Sequence, residues 1–418
     1  MKILLVGSGG REHALALGLQ ADPSCTELHC APGNPGIAEI ATLHQIVITD
    51  NNAIVELAKK LAVDLVVIGP EVPLVNGVAD ALRAAGLAVF GPSKAAAQIE
   101  GSKDFAKGVM RDAGVPTARS FTCETQAEIE NALDAFGAPF VVKDDGLAAG
   151  KGVVVTEDRA KALEHALSCQ RVVIEEFLNG PEISLFGISD GRNILPMQPA
   201  QDFKRAYDRD EGPNTGGMGA YSPLPWAPDD IMEETYEKVL EKVLAPVIAE
   251  MAARGTPFVG LLYAGLALTD HGLKVIEFNA RFGDPETQVL IPRLATPLAN
   301  LLYKAATDSL DDVALSWRDE SAVTVVLAAQ GYPESPNTNG AISNIPIIAK
   351  TQVFQAGTTQ NTNGLLSSGG RVLTVTGLGS DLTEARDRAY RAISQIELAG
   401  SFYRSDIALN ASVAEKGN

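Results

Sequence analysis

The segment Val142-Lys143-Asp144-Asp145-Gly146-Leu147-Ala148-Ala149-Gly150-Lys151-Gly152-Val153 puts one lysine at the end of a strand and a second between two glycines, after which a strand resumes. Glycines let a backbone fold over phosphate groups, and two ammonium groups supply the charge that phosphates attract. The loop joins two strands, which separates it from the strand-to-helix P-loop and its GK[ST] ending. The plainer alternative is a flexible hairpin with solvated lysines.

The segment Val275-Ile276-Glu277-Phe278-Asn279-Ala280-Arg281-Phe282-Gly283-Asp284-Pro285-Glu286-Thr287 carries the second set of groups. Strand alternation predicts Glu277, Asn279 and Arg281 on one face, with Ile276 and Phe278 in the core. Two oxygen ligands two residues apart suit Mg²⁺, which uses few protein carboxylates beside substrate phosphates. Arg281 on that face is able to hold a phosphate or carboxylate through two bonds. A polar outer face of an edge strand is the competing reading.

Three further segments are weaker alone. Ile174-Glu175-Glu176-Phe177-Leu178, with Glu182 after it, offers strand edge and carboxylates to a nucleoside, or is simply a strand with surface acids. Asp202-Phe203-Lys204-Arg205 and Gly212-Pro213-Asn214-Thr215-Gly216-Gly217-Met218-Gly219-Ala220-Tyr221 would shape a pocket for a very small substrate, with Asp202 facing an ammonium group. Gly7-Ser8-Gly9-Gly10-Arg11-Glu12-His13 suggests a dinucleotide turn, but the third glycine of that fingerprint falls at Glu12, and Ala31-Pro32 replaces the ribose-binding acid. A phosphate or phosphosugar site, or merely a tight turn, remains.

These groups need elements to position them. Ile3–Val6, Ile46–Ile48, Leu65–Ile68 and Ala88–Phe90 read as strands alternating with helices over Glu12–Gln20, Asn52–Leu61 and Val78–Ala85, hence an α/β parallel-sheet (Rossmann-like) domain. Ligands of such sheets sit at the carboxyl ends of the strands, here Gly7–Gly10, Pro32-Gly33-Asn34 and Gly69-Pro70-Glu71. A helix over Lys103–Ala113 leads into a compact unit from Thr117 to Leu178. Its predicted strands are Phe140–Lys143, Val153–Thr156 and Val172–Glu176, with helices near Ala127–Phe136 and Arg159–Leu167. Asp229–Met251 reads as a long amphipathic helix, Asp308–Glu320 as an acidic linker, and the remainder as strands closing in a helix over Leu382–Gln395.

A length of 418 residues predicts several domains. The net charge of −18 argues against nucleic-acid or anionic-membrane partners, which need clustered cations. Cys25, Cys30, Cys123 and Cys169 show no CxxC pairing, so a reducing compartment is expected. Neither a signal peptide nor a membrane span is read from the chain, which predicts a soluble, cytoplasmic protein; with no long heptad or sticky face, a monomer is expected.

Taken together, the ordered motifs resemble the ATP-grasp superfamily and, more closely, the phosphoribosylamine–glycine ligase (glycinamide ribonucleotide synthetase) family. The motifs are GSGGREHAL, IEGSKDFAK, DGLAAGKGV, IEEFL, GPNTGGMGAYSP, GLLYAGL, IEFNARFGDPETQ and GGRVLTVTGLG, spread over essentially the whole chain. The resemblance implies an N-terminal domain over 1–101, a two-lobed ATP-grasp domain over 102–309 (lid lobe about 117–178, main lobe about 182–309) and a small mixed β/α domain over 310–418. It implies ATP-dependent ligation of glycine to 5-phosphoribosylamine through glycyl phosphate, with Mg²⁺ or Mn²⁺. By the same resemblance Lys103, Lys143 and Lys151 would contact ATP phosphates, and Glu175, Phe177 and Glu182 would line the adenosine. Glu277 and Asn279 would be metal ligands. Asp202, Lys204, Arg281 and Asp284 would surround glycine and the transferred phosphoryl group, and Gly9, Gly10, Asn34 and Glu71 would receive phosphoribosylamine. The chain departs from the family pattern at Asp144, Phe203, the short 167–171 connection and Ser367-Ser368. Another ATP-grasp ligase or carboxylase would share the lysines and the Glu277/Asn279 pair, but not the 202–223 segment. A non-catalytic nucleotide-binding module has no need of a γ-phosphoryl clamp.

Overall fold

The computed structural model describes residues 1–147, 152–226 and 239–416. The first sheet is wholly parallel, in the order β3 (Thr42–Leu43), β2 (Glu27–Pro32), β1 (Lys2–Gly7), β4 (Leu65–Ile68), β5 (Ala88–Phe90). Its strands are apolar on both sides because both faces are covered. Ile3, Leu5, Leu65 and Val67 pack with Leu290 and Leu301 of the following domain, whereas Leu4, Val6, Val66 and Ile68 pack with Ile54, Ala58 and Leu82.

Ile46–Ile48 is not a strand. The third strand is the two-residue Thr42–Leu43, paired with His29 and Cys30, and β2 then ends at Pro32, which has no N–H to extend a ladder. Ile46 and Ile48 still turn inward against the second face while Val47 stays exposed, so an extended run kept its alternation without gaining a partner.

The lobe expected to be a lid is a four-stranded antiparallel sheet in the order Ser120–Cys123, Val172–Glu175, Phe140–Asp144, Val153–Thr156. Helices Gln126–Phe136 and Arg159–Ser168 cover one face through Ile129, Leu133, Ala162 and Ala166. Thr125 and Glu128 close the first helix with a capping box, and Asp158 caps the second. The main lobe orders Ile194–Pro196, Glu182–Asp190, Val259–Thr269 and Gly272–Asn279, all antiparallel. A bulge falls opposite Gly265 and Leu266, so Val275 and Phe278 are the core residues and Ile276 is only half-buried. The expected inward Ile276 is corrected by that one inserted residue.

The last sheet ignores the expected boundary at 309/310. Its order is Gln201–Asp202, Gly219–Ser222, Ser321–Ala328, Arg371–Gly379, Thr351–Gln355, so two short strands flanking the glycine-rich loop belong to the C-terminal sheet. Nor is 308–320 a loose linker: Leu310 is buried, and Arg318 donates to the carbonyls of Pro292 and Leu294. Of the predicted helix 229–251, the part before Val239 lies outside the described residues. The rest buries Val239, Val243, Val247, Ile248 and Met251, with π-type winding over Leu240–Leu244 just before Pro246.

Candidate functional site

Lys143, next to last in the strand Phe140–Asp144, is almost fully buried, with Nζ 2.8 Å from Glu175 Oε2 and 3.1 Å from the Ile276 carbonyl. Glu175 also holds Lys107 at 3.1 Å. The Glu175 carboxylate is therefore taken up by two lysines. Phe177, in the same predicted group, is exposed. Lys103 donates to the Gly146 carbonyl at 2.9 Å, which anchors the backbone just past the strand Phe140–Asp144; burial pulls its ammonium below the usual lysine range, partly offset by Glu277. Lys151 lies outside the described residues.

Burial alone would raise the Glu277 carboxyl, but Lys204, Lys143, Lys103 and Arg281 outweigh it and hold it below the usual range. Asn279 Oδ1 accepts from Arg281 Nη2 at 3.3 Å. An ionised carboxylate and a carbonyl oxygen amid four cations fit a Mg²⁺ whose remaining ligands come from nucleotide phosphates and water. Among the described residues no cluster of three or more His, Cys, Asp or Glu side chains would hold a metal unaided.

Beyond this group lies Lys204, 2.8 Å from Glu182. Burial opposes its charge, yet Asp202, Glu182 and Glu277 raise it well above the usual range. Asp202 is pushed up to about 7, first by burial and then by Glu286 and Glu182, with Lys204 opposing. Glu286 is buried and accepts from the Tyr263 hydroxyl at 2.7 Å, which in turn shares a 2.7 Å hydrogen bond with Ser184. The glycine-rich loop closes over these groups: Gly217 has φ +108°, and a Cβ there would meet Pro285 at 2.5 Å.

Arg281 connects this centre to the N-terminal domain. Its Nε is 3.3 Å from Glu71, and its Nη2 is 3.0 Å from the buried Glu100, which also accepts the Ala280 N–H at 2.7 Å. Burial would lower this guanidinium, but Glu100 and Glu71 hold it above its usual range. Glu71, expected to receive substrate, is paired here with Arg281.

The glycine turn differs from the expectation. The Gly9 N–H donates to Glu12 Oε2 at 2.6 Å, and the Arg11 N–H donates to the Asp284 carboxylate. Two protein carboxylates therefore occupy donors that a phosphate was expected to use. Asn34 is buried and its amide is consumed: Nδ2 donates to the carbonyls of Ser8 and Gln355, each at 2.8 Å, and Oδ1 accepts from the Ile37 N–H. Its side chain ties the turn to the C-terminal sheet and is not free for substrate. Asp284 sits beside this turn, 3.6 Å from where a Cβ on Gly9 would stand, and pairs with Arg371 at 3.3 Å. Burial would raise its carboxyl, but Arg371, Arg11 and the bond from Gln288 hold it low.

Sequence reasoning missed Lys107, Glu100, Arg11, Glu286 and Arg371. Each is a lone charge on a helix, turn or strand start, and its only signal was lying inside a quoted motif. Together the charges run as one corridor from Lys143 and Lys103 through Glu277, Lys204 and Arg281 to Glu71. That order can hold a polyphosphate at one end, a small zwitterion in the middle and an amine at the other.

Profiles of three phosphoribosylglycinamide synthetase regions match the chain: the N domain at residues 1–100, the ATP-grasp (A) domain at 101–287 and the C domain at 322–410. A phosphoribosylamine–glycine ligase of Streptomyces coelicolor is 60% identical over 420 residues, covering 99% of this chain and 100% of that one. The Mycobacterium tuberculosis ligase is 52% identical, covering 98% of each. A crystal structure of the Thermotoga maritima ligase superposes with TM-score 0.83 at 32% identity, covering 98% of this chain and all of that one. The biotin carboxylase domain of Hydrogenobacter thermophilus 2-oxoglutarate carboxylase, solved with MgADP and bicarbonate, gives TM-score 0.73 at 16% identity over 99% of this chain and 94% of that one, a likeness of fold.

Proposed function

The chain belongs to the phosphoribosylglycinamide synthetase family and is an ATP-dependent ligase that forms glycinamide ribonucleotide in purine biosynthesis, and on that premise we propose how its residues divide the work. A glycine carboxylate oxygen attacks the γ-phosphorus of ATP, the bond to the β-bridging oxygen breaks, and ADP leaves. The phosphoribosylamine nitrogen then attacks the carbonyl carbon of glycyl phosphate; the carbon–oxygen bond to phosphate breaks and the nitrogen loses a proton.

Lys103, Lys143 and Lys151 hold the ATP phosphates, while the strand around Glu175 and Phe177 flanks the adenosine and Glu182 meets its ribose. Glu277 and Asn279 hold Mg²⁺, or Mn²⁺ in its place, which supplies Lewis-acid charge to the phosphates when bound. Asp202 takes the glycine ammonium. Lys204 and Arg281 neutralise charge on the phosphoryl group in flight, the main contribution a protein makes to phosphoryl transfer. Glu71 and the Gly9-Gly10 turn receive the amine and sugar of phosphoribosylamine. The observation that carries this reading is the unbroken corridor in which Arg281 touches both Asn279 and Glu71, because one guanidinium then serves both half-reactions.

We read the chain as domains 1–101, 102–309 and 310–418 acting as a monomer, the second domain lending its strands Gln201–Asp202 and Gly219–Ser222 to the sheet of the third. The four free cysteines support a cytoplasmic setting.

The test is phosphate release from ATP and Mg²⁺ with glycine, with and without freshly generated phosphoribosylamine. Release requiring both, with alanine unable to replace glycine, is expected. Release that needs neither, or only bicarbonate or another amino acid, overturns the substrate assignment.

A further inference from the structure

A phosphate monoester carries about −1.5 to −2 charge at neutral pH, so the phosphosugar substrate needs a cation near the glycine turn. The turn itself is poor in free positive groups, because Glu12 and Asp284 already take the N–H groups of Gly9 and Arg11. The Arg11 side chain is buried, with Nε on Glu12 at 2.5 Å and Nη1 on the Phe282 carbonyl at 3.2 Å. Arg281 is held between Glu71 and Glu100.

Arg371, at the start of the C-terminal strand Arg371–Gly379, is different. Its Nη1 donates to the carbonyls of Gly216 at 2.6 Å and Asp284 at 2.7 Å, and lies 3.3 Å from Asp284 Oδ1. Its Nε and Nη2 have no partner among the described residues, and the side chain is 23% exposed. The guanidinium lies across Gly216, where a Cβ would come within 3.0 Å of Cζ and 3.1 Å of Nη2, so the glycine is what lets the group lie there. The other Asp284 oxygen is 3.6 Å from where a Cβ on Gly9 would stand. One carboxylate therefore spans the distance between Arg371 and the turn. Gln288 and Thr374, from the same side of the molecule, cover Gly10: a Cβ there would meet Gln288 Nε2 at 2.8 Å and Thr374 Oγ1 at 3.4 Å.

We infer that Arg371 is the phosphate-binding cation of the phosphosugar site, contributed by the C-terminal domain through its free Nε and Nη2 edge. The pair is the planar fork that matches two phosphate oxygens. The carboxylates of Glu12 and Asp284 then repel phosphate from the turn and leave it to the hydroxyl and amine end of the substrate. This assignment rests on phosphoribosylamine being the substrate.

The test measures ribose 5-phosphate as an inhibitor competing with phosphoribosylamine, with ribose as the uncharged control, in wild type, Arg371→Gln, Arg371→Lys and Tyr332→Phe. Losing a charge-assisted fork should weaken ribose 5-phosphate roughly 10- to 100-fold in Arg371→Gln, with a smaller loss in Arg371→Lys and little change in the KM for ATP. Tyr332→Phe removes the hydroxyl that accepts the Gly216 N–H at 3.0 Å, so it disturbs the same loop without touching charge and should leave ribose 5-phosphate inhibition intact. Undiminished inhibition of a folded Arg371→Gln or Arg371→Lys, or an equal loss in Tyr332→Phe, overturns the assignment while the ligase function stands. A wild-type enzyme indifferent to phosphoribosylamine overturns the function and this assignment with it.

Discussion

Replacing Glu175 by Gln keeps the side chain's shape and removes the carboxylate that, among the described residues, alone touches both Lys107 and Lys143. The three side chains are 4%, 11% and 5% exposed respectively, and the two ion pairs are 3.1 and 2.8 Å long. Removing one partner of a buried pair leaves an uncompensated charge, which costs about 3–5 kcal/mol. Burial already holds Lys107 below the usual lysine range, and Glu175 is the main group opposing that fall. Without Glu175 the folded state binds the Lys107 proton less tightly than the unfolded chain does. Unfolding then takes up protons, so the variant's stability rises with pH towards the unfolded lysine value of about 10.4. Urea denaturation of wild type and Glu175→Gln at pH 7 and pH 9 should show a deficit that is largest at pH 7 and smaller at pH 9. The kcat/KM for ATP should fall roughly 10- to 100-fold at pH 7, the price of losing about 1.4–2.7 kcal/mol of phosphate positioning. A stability loss under about 1 kcal/mol that does not change with pH would refute the argument that Glu175 is the counter-charge of this phosphate wall.

Asp202→Asn should raise the glycine KM by about tenfold or more at pH 8, and by less at pH 6, where wild-type Asp202, pushed up to about 7, is largely protonated; a penalty equal at both pH values removes Asp202 from the ammonium site. Because that folded value exceeds the unfolded one, wild type also loses stability from this group as pH climbs from about 4 to 7, and thermal melts should show the Asn variant spared that loss. Glu277→Gln should raise the Mg²⁺ concentration for half-maximal activity by about tenfold or more, and an unchanged metal titration contradicts its ligand role. Buried His13 is held down to about 4 and its Nδ1 accepts the Gln355 N–H at 2.9 Å. Its folded value lies below the unfolded 6.5, so about 3 kcal/mol of stability should disappear as pH falls from about 6.5 to 4. His13→Gln should flatten that slope in acid unfolding, and an unaltered slope shows that other groups set it.

Local pattern was enough for much of this protein. The parallel sheet was legible because strands covered on both faces are apolar throughout, as Leu65–Ile68 shows. Lysines among glycines at a strand end, and the alternation that puts Glu277 and Asn279 on one side, were legible as candidates for phosphate and metal because few other uses explain those residue types there. Tertiary structure decided which of these groups are free. Asn34, Glu175 and Glu71 have the right chemistry for ligands, but whether a carboxylate meets substrate or an arginine depends on residues far away in the chain, such as Arg281 for Glu71. Ile276 left the core because of a single bulge that no side-chain pattern announces. The end of the site proposed for the phosphosugar is the clearest case: Gly9 and Asp284 are 275 residues apart and Arg371 lies another 87 beyond. Charge balance there is a sum over neighbours in space, and sequence order alone does not contain that sum.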